Sequence, residues 1–331
     1  MSWKGKKVLV CGGAGMIGSH LSRELLNRGA RVTVVDDLSS GSAKNIRDIL
    51  SDVEFLKKDL RKPRVCDTIT RGKNVVFQLA ADMGGIGYIT SHFSSLMINN
   101  NAINTNMLMA AHVHKVENYF FSSSACVYPN YKQTDTTNVA LKEEDAMPAD
   151  PNEPYGWEKF YCEKLVECFQ VDFQSNIHVG RFHNVYGSAF TAFDEAKAKV
   201  PCKMILRALL HPRKELEIWN DGEQTRSFLF IGDCVEAILR LMDTDYRKPI
   251  NIGSDRLISM NDLAKLVIGI SGKNIKPVYY PNKPQGVRGR NSENTLVRKV
   301  LKWEPTVILE DGLKEVYAWS EQHLGELEGI E

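Results

Sequence analysis

Two stretches of this chain carry residue types that could do chemistry together: Ser124-Ala125-Cys126 and, further along, Tyr155-Gly156-Trp157-Glu158-Lys159. Tyr155 and Lys159 are four apart, so on a helix both side chains face one cleft. A tyrosine near its free pKa of about 10 is a poor base at neutral pH. A neighbouring ammonium and an oxidised nicotinamide both favour the phenolate and lower that value. Such a pair could take the proton from a hydroxyl, as of a sugar, while hydride leaves the carbon, and Ser124 would hydrogen-bond the same hydroxyl. Cys126 is surplus to that chemistry. A thiol with a free pKa of about 8.5, lower beside cations, can act as base toward a carbon acid. Free cysteines are otherwise most often small buried hydrophobes, and it is the position after Ser124 that favours a chemical role.

Hydride chemistry needs a hydride carrier, and the N-terminal stretch offers a place for a dinucleotide. The apolar run Val8-Leu9-Val10-Cys11 leads into Gly12-Gly13-Ala14-Gly15-Met16-Ile17-Gly18 and then an amphipathic segment. Glycines there permit a tight turn, close approach to a pyrophosphate and packing of helix on strand, with the helix N-terminus facing the phosphates. Asp36, closing the second apolar run, stands at the offset of an acid that bonds the ribose hydroxyls. Its charge repels a 2′-phosphate, so NAD is expected rather than NADP. Asp59 could accept from the adenine amino group or sit in a surface turn. Asn100 could hold a water for Lys159 or belong to a polar helix face.

The elements that must position these residues alternate. Lys7–Cys11, Arg31–Asp36, 53–56, 74–79, 118–122 and 176–180 read as strands; 16–28, 42–49, 94–115 and 156–172 read as helices between them. This is the pattern of an α/β fold, a Rossmann-type doubly wound parallel sheet. The prolines at 201, 212, 249, 281 and 284 break up the second half, where helices are expected at 259–270 and 309–323. A division follows: residues 1–180 as the NAD-binding domain, and 181–331 as mainly a smaller mixed α/β substrate domain, some segments returning to the sheet. The smaller domain would cap the carboxyl edge of the strands, where such sheets bind ligands.

Composition narrows the class. The 331 residues are 43% hydrophobic and 25% charged with a net charge of +1, average for a globular chain and without the basic stripe of a nucleic-acid binder. No apolar run approaches the ~20 residues of a membrane span. The seven cysteines are scattered without a C-x-x-C pair, which suits a reducing compartment and neither a disulfide framework nor zinc. A cytoplasmic, metal-free protein is expected.

The glycine loop, Ser124, Tyr155 and Lys159 together resemble the extended short-chain dehydrogenase/reductase superfamily, whose members act on nucleotide sugars. Dehydratases of that group carry Thr-Asp-Glu, and decarboxylases commonly a glutamate, where this chain has Ser124-Ala125-Cys126. From about Lys7 to Gln322 the chain is similar to the GDP-mannose 3,5-epimerase family. The segments that carry the similarity are Leu79-Ala80-Ala81-Asp82-Met83-Gly84-Gly85, Ser123 to Pro129, Gly180-Arg181-Phe182-His183-Asn184, Gln224-Thr225-Arg226-Ser227-Phe228, Asn251 to Asp255 and Gly286 to Ser292.

That resemblance implies a cycle. Tyr155, Lys159 and Ser124 oxidise the hexose at C4; Cys126 and Lys199 then invert C5 and C3; hydride returns and no net redox occurs. NAD would contact Gly12, Gly15, Met16, Ile17, Gly18, Asp36, Asp59, Ala80, Asn100, Tyr155 and Lys159. The nucleotide sugar, a GDP-hexose by this likeness, would contact Gly84, Ser124, Asn184, Lys199, Arg207, Gln224, Arg226 and Arg290. Arg226 and Arg290 would clamp the diphosphate, with Arg288 able to exchange roles with Arg290, and Lys197 is an alternative to Lys199. Homodimers through paired helices are implied too, with 94–115 and 156–172 the candidates. The chain departs from the family at Thr191 to Ala196, where a Lys-Gly-Gly stretch is usual, and at Arg207, which replaces a lysine. Two other readings stay open: another nucleotide-sugar 4-epimerase or C4 dehydrogenase on the same fold, and a catalytically idle NAD-binding sensor.

Overall fold

A computed structural model describes residues 1–331 except 138, 195–197, 285 and 329–331. The first half forms β1 (Lys7–Cys11), α1 (Met16–Asn27), β2 (Arg31–Asp36), β3 (Glu54–Lys57), α2 (Pro63–Thr70) and β4 (Val75–Gln78). It continues with α3 (Ile86–Ile89), α4 (Phe93–Val113), β5 (Asn118–Ser124), α5 (Pro154–Phe173) and β6 (Ile177–Phe182). The strands lie in the order β3-β2-β1-β4-β5-β6, and Ile250–Ile252 completes a seven-stranded sheet beyond β6. Every pairing in it is parallel. The order reverses between β1 and β4, so a crevice opens above their carboxyl ends, where a ligand of such a sheet sits.

Alternate side chains of each strand go to opposite faces, and both faces are covered. Val8 and Val10 join Leu21 and Leu25 of α1 on one side. Leu9 and Cys11 join Met107 and Leu108 of α4 and Cys162 and Val166 of α5 on the other. Residues after 181 contribute as well. The helix Ile231–Met242 packs on α1, and Ile250–Ile252 pairs with β6. A separate three-stranded sheet sets Thr225–Arg226 between Ile258–Ser259 and Gly289–Arg290, in a register that puts Arg226 opposite Arg290.

Some elements differ from the sequence expectation. Residues 42–49 form only a short 3-10 turn, Ala43–Ile46, because the Ser42 side chain caps it and Asn45 turns inward. Strand β5 runs on to Ser124 and β6 to Phe182, paired with each other along that extension. Pro201, read as a loop marker, lies in the first turn of α6 (Val200–Leu210), where the missing N–H has no partner to lose. The helix α2 starts with Pro63 for the same reason.

Above the sheet, a buried polar chain ties β5, β6 and the seventh strand to the segment that follows Ser124. Arg181 donates twice to Glu163, at 2.9 and 2.7 Å, and both side chains are almost wholly buried. Ser123 also donates to Glu163, while Arg181 donates to the Tyr128 hydroxyl, which donates to Asn251 at 2.6 Å. Removing one member of such a buried pair characteristically costs about 3–5 kcal/mol, because the other charge is stranded. The segment carrying Cys126 is therefore fixed in place by the fold. Among the described residues no helix is long and apolar enough to cross a membrane.

Candidate active site

A cavity of ≈ 470 Å³ lies along the carboxyl edge of the sheet, floored by the glycine loop at one end and walled by the end of β5 at the other. Close contacts explain the glycines. Gly12 has φ +71, and a Cβ on it would lie 2.8 Å from the Ala80 nitrogen at the end of β4. A Cβ on Gly18 would lie 2.3 Å from the Gly12 oxygen. Gly15 caps α1 with no side-chain hydrogen bond, so the first N–H groups of that helix open toward the cavity that Gly15, Met16, Ile17 and Gly18 line. Asp36 accepts from Ala14 N at 3.0 Å and Leu38 N at 2.8 Å and lines the cavity beside Ala80. Burial raises its carboxyl above the usual range, with Asp37 adding to the effect and the two N–H donors opposing it.

Tyr155 sits in the first turn of α5, opened by Pro154, and Lys159 one turn later; both line the cavity with Ser124. Gly156 brings them there. A Cβ on it would come 2.1 Å from the Cys126 carbonyl oxygen, so only glycine lets α5 press against that turn. The Lys159 ammonium stands 5.0 Å from the Phe121 ring and 5.6 Å from the Tyr155 ring. It is buried with no hydrogen-bond partner among the described residues. Burial, Cys126 and Glu158 push the Tyr155 phenol well above its ordinary value, against the Ser124 hydroxyl. The expectation of a lowered phenol is therefore not met by the chain's own charges. Lys159 lies over the ring and makes no hydrogen bond to the phenol oxygen.

Cys126 follows Ser124 in a 3-10 turn, Ala125–Val127, which the Ser124 side chain caps by accepting from Cys126 N at 3.1 Å. Its sulfur lines the cavity half-buried and accepts from Arg290 Nη1 at 3.4 Å. The Arg290 Nε donates to Gln133 at 2.5 Å, which fixes the guanidinium beside the sulfur. Burial works against the thiolate, but Arg290, Ser124 and Lys199 outweigh it and hold the thiol below its ordinary value. Lys199, at the N-cap of α6, also lines the cavity. Burial lowers its ammonium and Arg290 acts in the same direction, while Cys126 opposes them. Arg226 stands next to Arg290, and burial followed by Arg290 presses against its charge. None of Arg226, Arg290 and Lys199 has a carboxylate partner among the described residues, so the site is ready for an anion.

The cavity thus gathers Gly12, Gly15, Met16, Ile17, Gly18, Asp36, Ala80, Gly84, Ser124, Cys126, Tyr155, Lys159, Asn184, Lys199 and Arg290. Asn184 has φ +40 and donates to the Ser227 carbonyl oxygen at 3.0 Å. Other expected residues lie off the wall. Asp59 is held by Arg61, with contacts of 2.9 and 3.0 Å, and Arg61 is the residue that lines the cavity. Asn100 is fully buried, binding the Asp82 backbone on both sides and donating to Glu158 at 3.3 Å. Arg207 pairs with Glu217 at 2.7 Å, and Gln224 donates to the Trp219 carbonyl oxygen. Arg226 donates to its own neighbour's carbonyl at 2.7 Å, and Arg288 is taken up bidentately by Asp221. Lys197 lies outside the described residues.

Sequence reasoning passed over Gly41, whose Cβ would lie 2.5 Å from the Asp36 carboxylate, and Gly156. The first had a signal in the Ser39-Ser40-Gly41-Ser42 run; the second had none, because its neighbour is remote in sequence.

Residues 8–253 match the NAD dependent epimerase/dehydratase family. A GDP-mannose 3,5-epimerase of Arabidopsis thaliana is 42% identical over 321 residues, covering 96% of this chain and 83% of that protein. UDP-glucose 4-epimerase of Thermotoga maritima, solved with UDP-glucose, superposes with a TM-score of 0.88 at 29% identity over 96% of this chain and 99% of its own. A point mutant of UDP-glucuronic acid 4-epimerase from Bacillus cereus, solved with NAD, gives 0.83 at 26% identity, over 96% and 99%.

Because a methyl group on Gly18 has no room against the Gly12 oxygen, Gly18→Ala is expected to weaken NAD binding more than about tenfold, upward of ~1.4 kcal/mol. A fluorescence titration with NAD reads it, and wild-type affinity in the variant would refute the cradle.

Proposed function

The chain belongs to the NAD dependent epimerase/dehydratase family, and on that premise we propose that it inverts C5 and C3 of GDP-mannose, using NAD as cofactor. The observation that carries this reading is a thiol beside Arg290, on the same cavity wall as Tyr155 and Lys199. A plain 4-epimerase requires no such thiol.

The residues fit the cofactor. The glycine loop and the open N-terminus of α1 would take its diphosphate, Asp36 a ribose, and the Lys159 ammonium, without a hydrogen-bond partner among the described residues, the other ribose. Held there, the cofactor would supply a reversible hydride acceptor for the sugar C4. Tyr155 takes the C4 hydroxyl proton, with Ser124 bonding the same oxygen. The carbonyl left at C4 acidifies the hydrogens on C5 and C3, since each carbanion is an enolate. Cys126 removes a proton from one face and Lys199 supplies one to the other. Arg290, Ser124 and Lys199 hold the Cys126 thiol below its ordinary value against burial, and burial with Arg290 lowers the Lys199 ammonium, which makes the first a readier base precursor and the second a readier acid. Arg290 would meet the diphosphate, with Arg226 adding its charge from beside it off the cavity wall, and the same positive field favours the thiolate.

We also read a homodimer through α4 and α5, supported by exposed Ile98, Met109 and Val113 on the first and Tyr161, Val171 and Phe173 on the second. Sedimentation should give twice the chain mass; a monomer at high concentration would remove this part of the reading.

GDP-mannose incubated with enzyme and NAD in D2O is expected to yield product labelled at C5 and C3 by NMR. Unlabelled, 4-inverted product would instead support the 4-epimerase reading. Cys126→Ala is expected to keep reducing bound NAD while C5 exchange falls by about 10²–10⁴-fold. Undiminished exchange in that variant would remove the thiol from the reaction.

A further inference from the structure

The geometry points to Asn45 as the positioning residue that ties the turn leading to Lys199 to the cofactor loop, so that inversion depends on a side chain outside the cavity; this rests on the epimerase reading above. Asn45 is 4% exposed and lies in the turn Ala43–Ile46, off the cavity wall. Its amide serves two distant segments at once. The Nδ2 donates to the Ala14 carbonyl oxygen at 2.8 Å and to Thr191 Oγ1 at 2.9 Å, and the Oδ1 accepts from Phe190 N at 2.7 Å. Both amide protons and one oxygen lone pair are engaged.

Each end of this bridge leads to a functional group. Ala14 is the middle of the glycine loop, and its own N–H is bound by Asp36. Phe190 and Thr191 open the turn Phe190–Phe193, which is packed on Trp319 at ring distances of 5.1 Å for Phe190 and 5.9 Å for Phe193. Beyond it, Ala198 N donates to the Asp194 oxygen, and Lys199 follows as the N-cap of α6. The path of Lys199 into the cavity is thus bounded by α6 on one side and by the Asn45-bound turn on the other.

Asn45 is itself held fast. Arg23 donates to its carbonyl oxygen at 2.5 Å and is paired with Asp48. A rigid amide joined to both segments fixes their separation, which a surface asparagine bonded to water would not. Lys199 must deliver its proton to the face opposite Cys126. When it is misplaced, the carbanion is reprotonated by Cys126 on the original face, giving labelled but uninverted substrate in D2O. The ratio of labelled, recovered GDP-mannose to inverted product, read against NAD affinity, therefore reports on how well Lys199 competes with Cys126 for the carbanion.

The test compares wild type, Asn45→Ala and Thr191→Val in D2O, with NAD affinity measured separately by titration. Asn45→Ala is expected to raise that ratio at least about fivefold and to weaken NAD binding. Thr191→Val, which spares the bond to Ala14, is expected to raise the ratio with a smaller change in NAD affinity. Wild-type ratios in both variants, or a parallel fall of exchange and inversion in both, would overturn the assignment. A wild-type enzyme that takes up no label would overturn the epimerase reading and this inference with it.

Discussion

Arg290 lies 3.4 Å from the sulfur of Cys126, with its other edge held by Gln133, and Lys199 adds a second positive charge from the N-terminus of α6. Burial raises a thiol's pKa, yet here Arg290, Ser124 and Lys199 together hold Cys126 below its ordinary value. A unit charge pair near 4 Å is worth ~4 kcal/mol at an effective dielectric of ~20, enough to offset partial desolvation of one anion. The same cations lack carboxylate partners among the described residues, so they can serve an incoming anion and the thiol together. On the proposed reading, proton transfer at carbon and recognition of a diphosphate would draw on one electrostatic field.

Bringing those groups together falls to contacts that tolerate little change. The end of β5 delivers Ser124 and the capped turn that carries Cys126. Gly156 lets α5 touch the Cys126 carbonyl, which sets Tyr155 and Lys159 beside the thiol. The small sheet places Arg226 and Arg290 side by side, and the buried Arg181–Glu163 pair braces the strands below. Ser124, Cys126, Tyr155, Lys159, Lys199 and Arg290 thereby line one cavity, which on the proposed reading would let redox and carbon-acid chemistry share it.

The parts of this arrangement that were legible in the sequence are the local ones. Strand, glycines, helix and acid appear in order from Val8 to Asp36, and each is dictated by backbone geometry within a few residues. Tyr155 and Lys159 could be paired because helical periodicity alone sets their direction. Remote meetings were not legible. Arg290 and Cys126 are 164 positions apart, and no sequence pattern announces that one lowers the other's pKa. Asp59 and Arg207 are taken up by Arg61 and Glu217, partners that become visible only once the chain is folded. Burial, with Cys126 and Glu158, holds the Tyr155 phenol above its ordinary value in the chain by itself, and helical spacing announces none of these neighbours.

The most direct test of the account is the pH dependence of Cys126 alkylation by iodoacetamide, in a Cys168→Ser background that removes the exposed cysteine. A folded-state thiol held down by Arg290 should react with a midpoint below the ordinary value of about 8.5, and Arg290→Gln should move that midpoint upward. A midpoint at or above the ordinary value, unmoved by Arg290→Gln, would contradict the central claim.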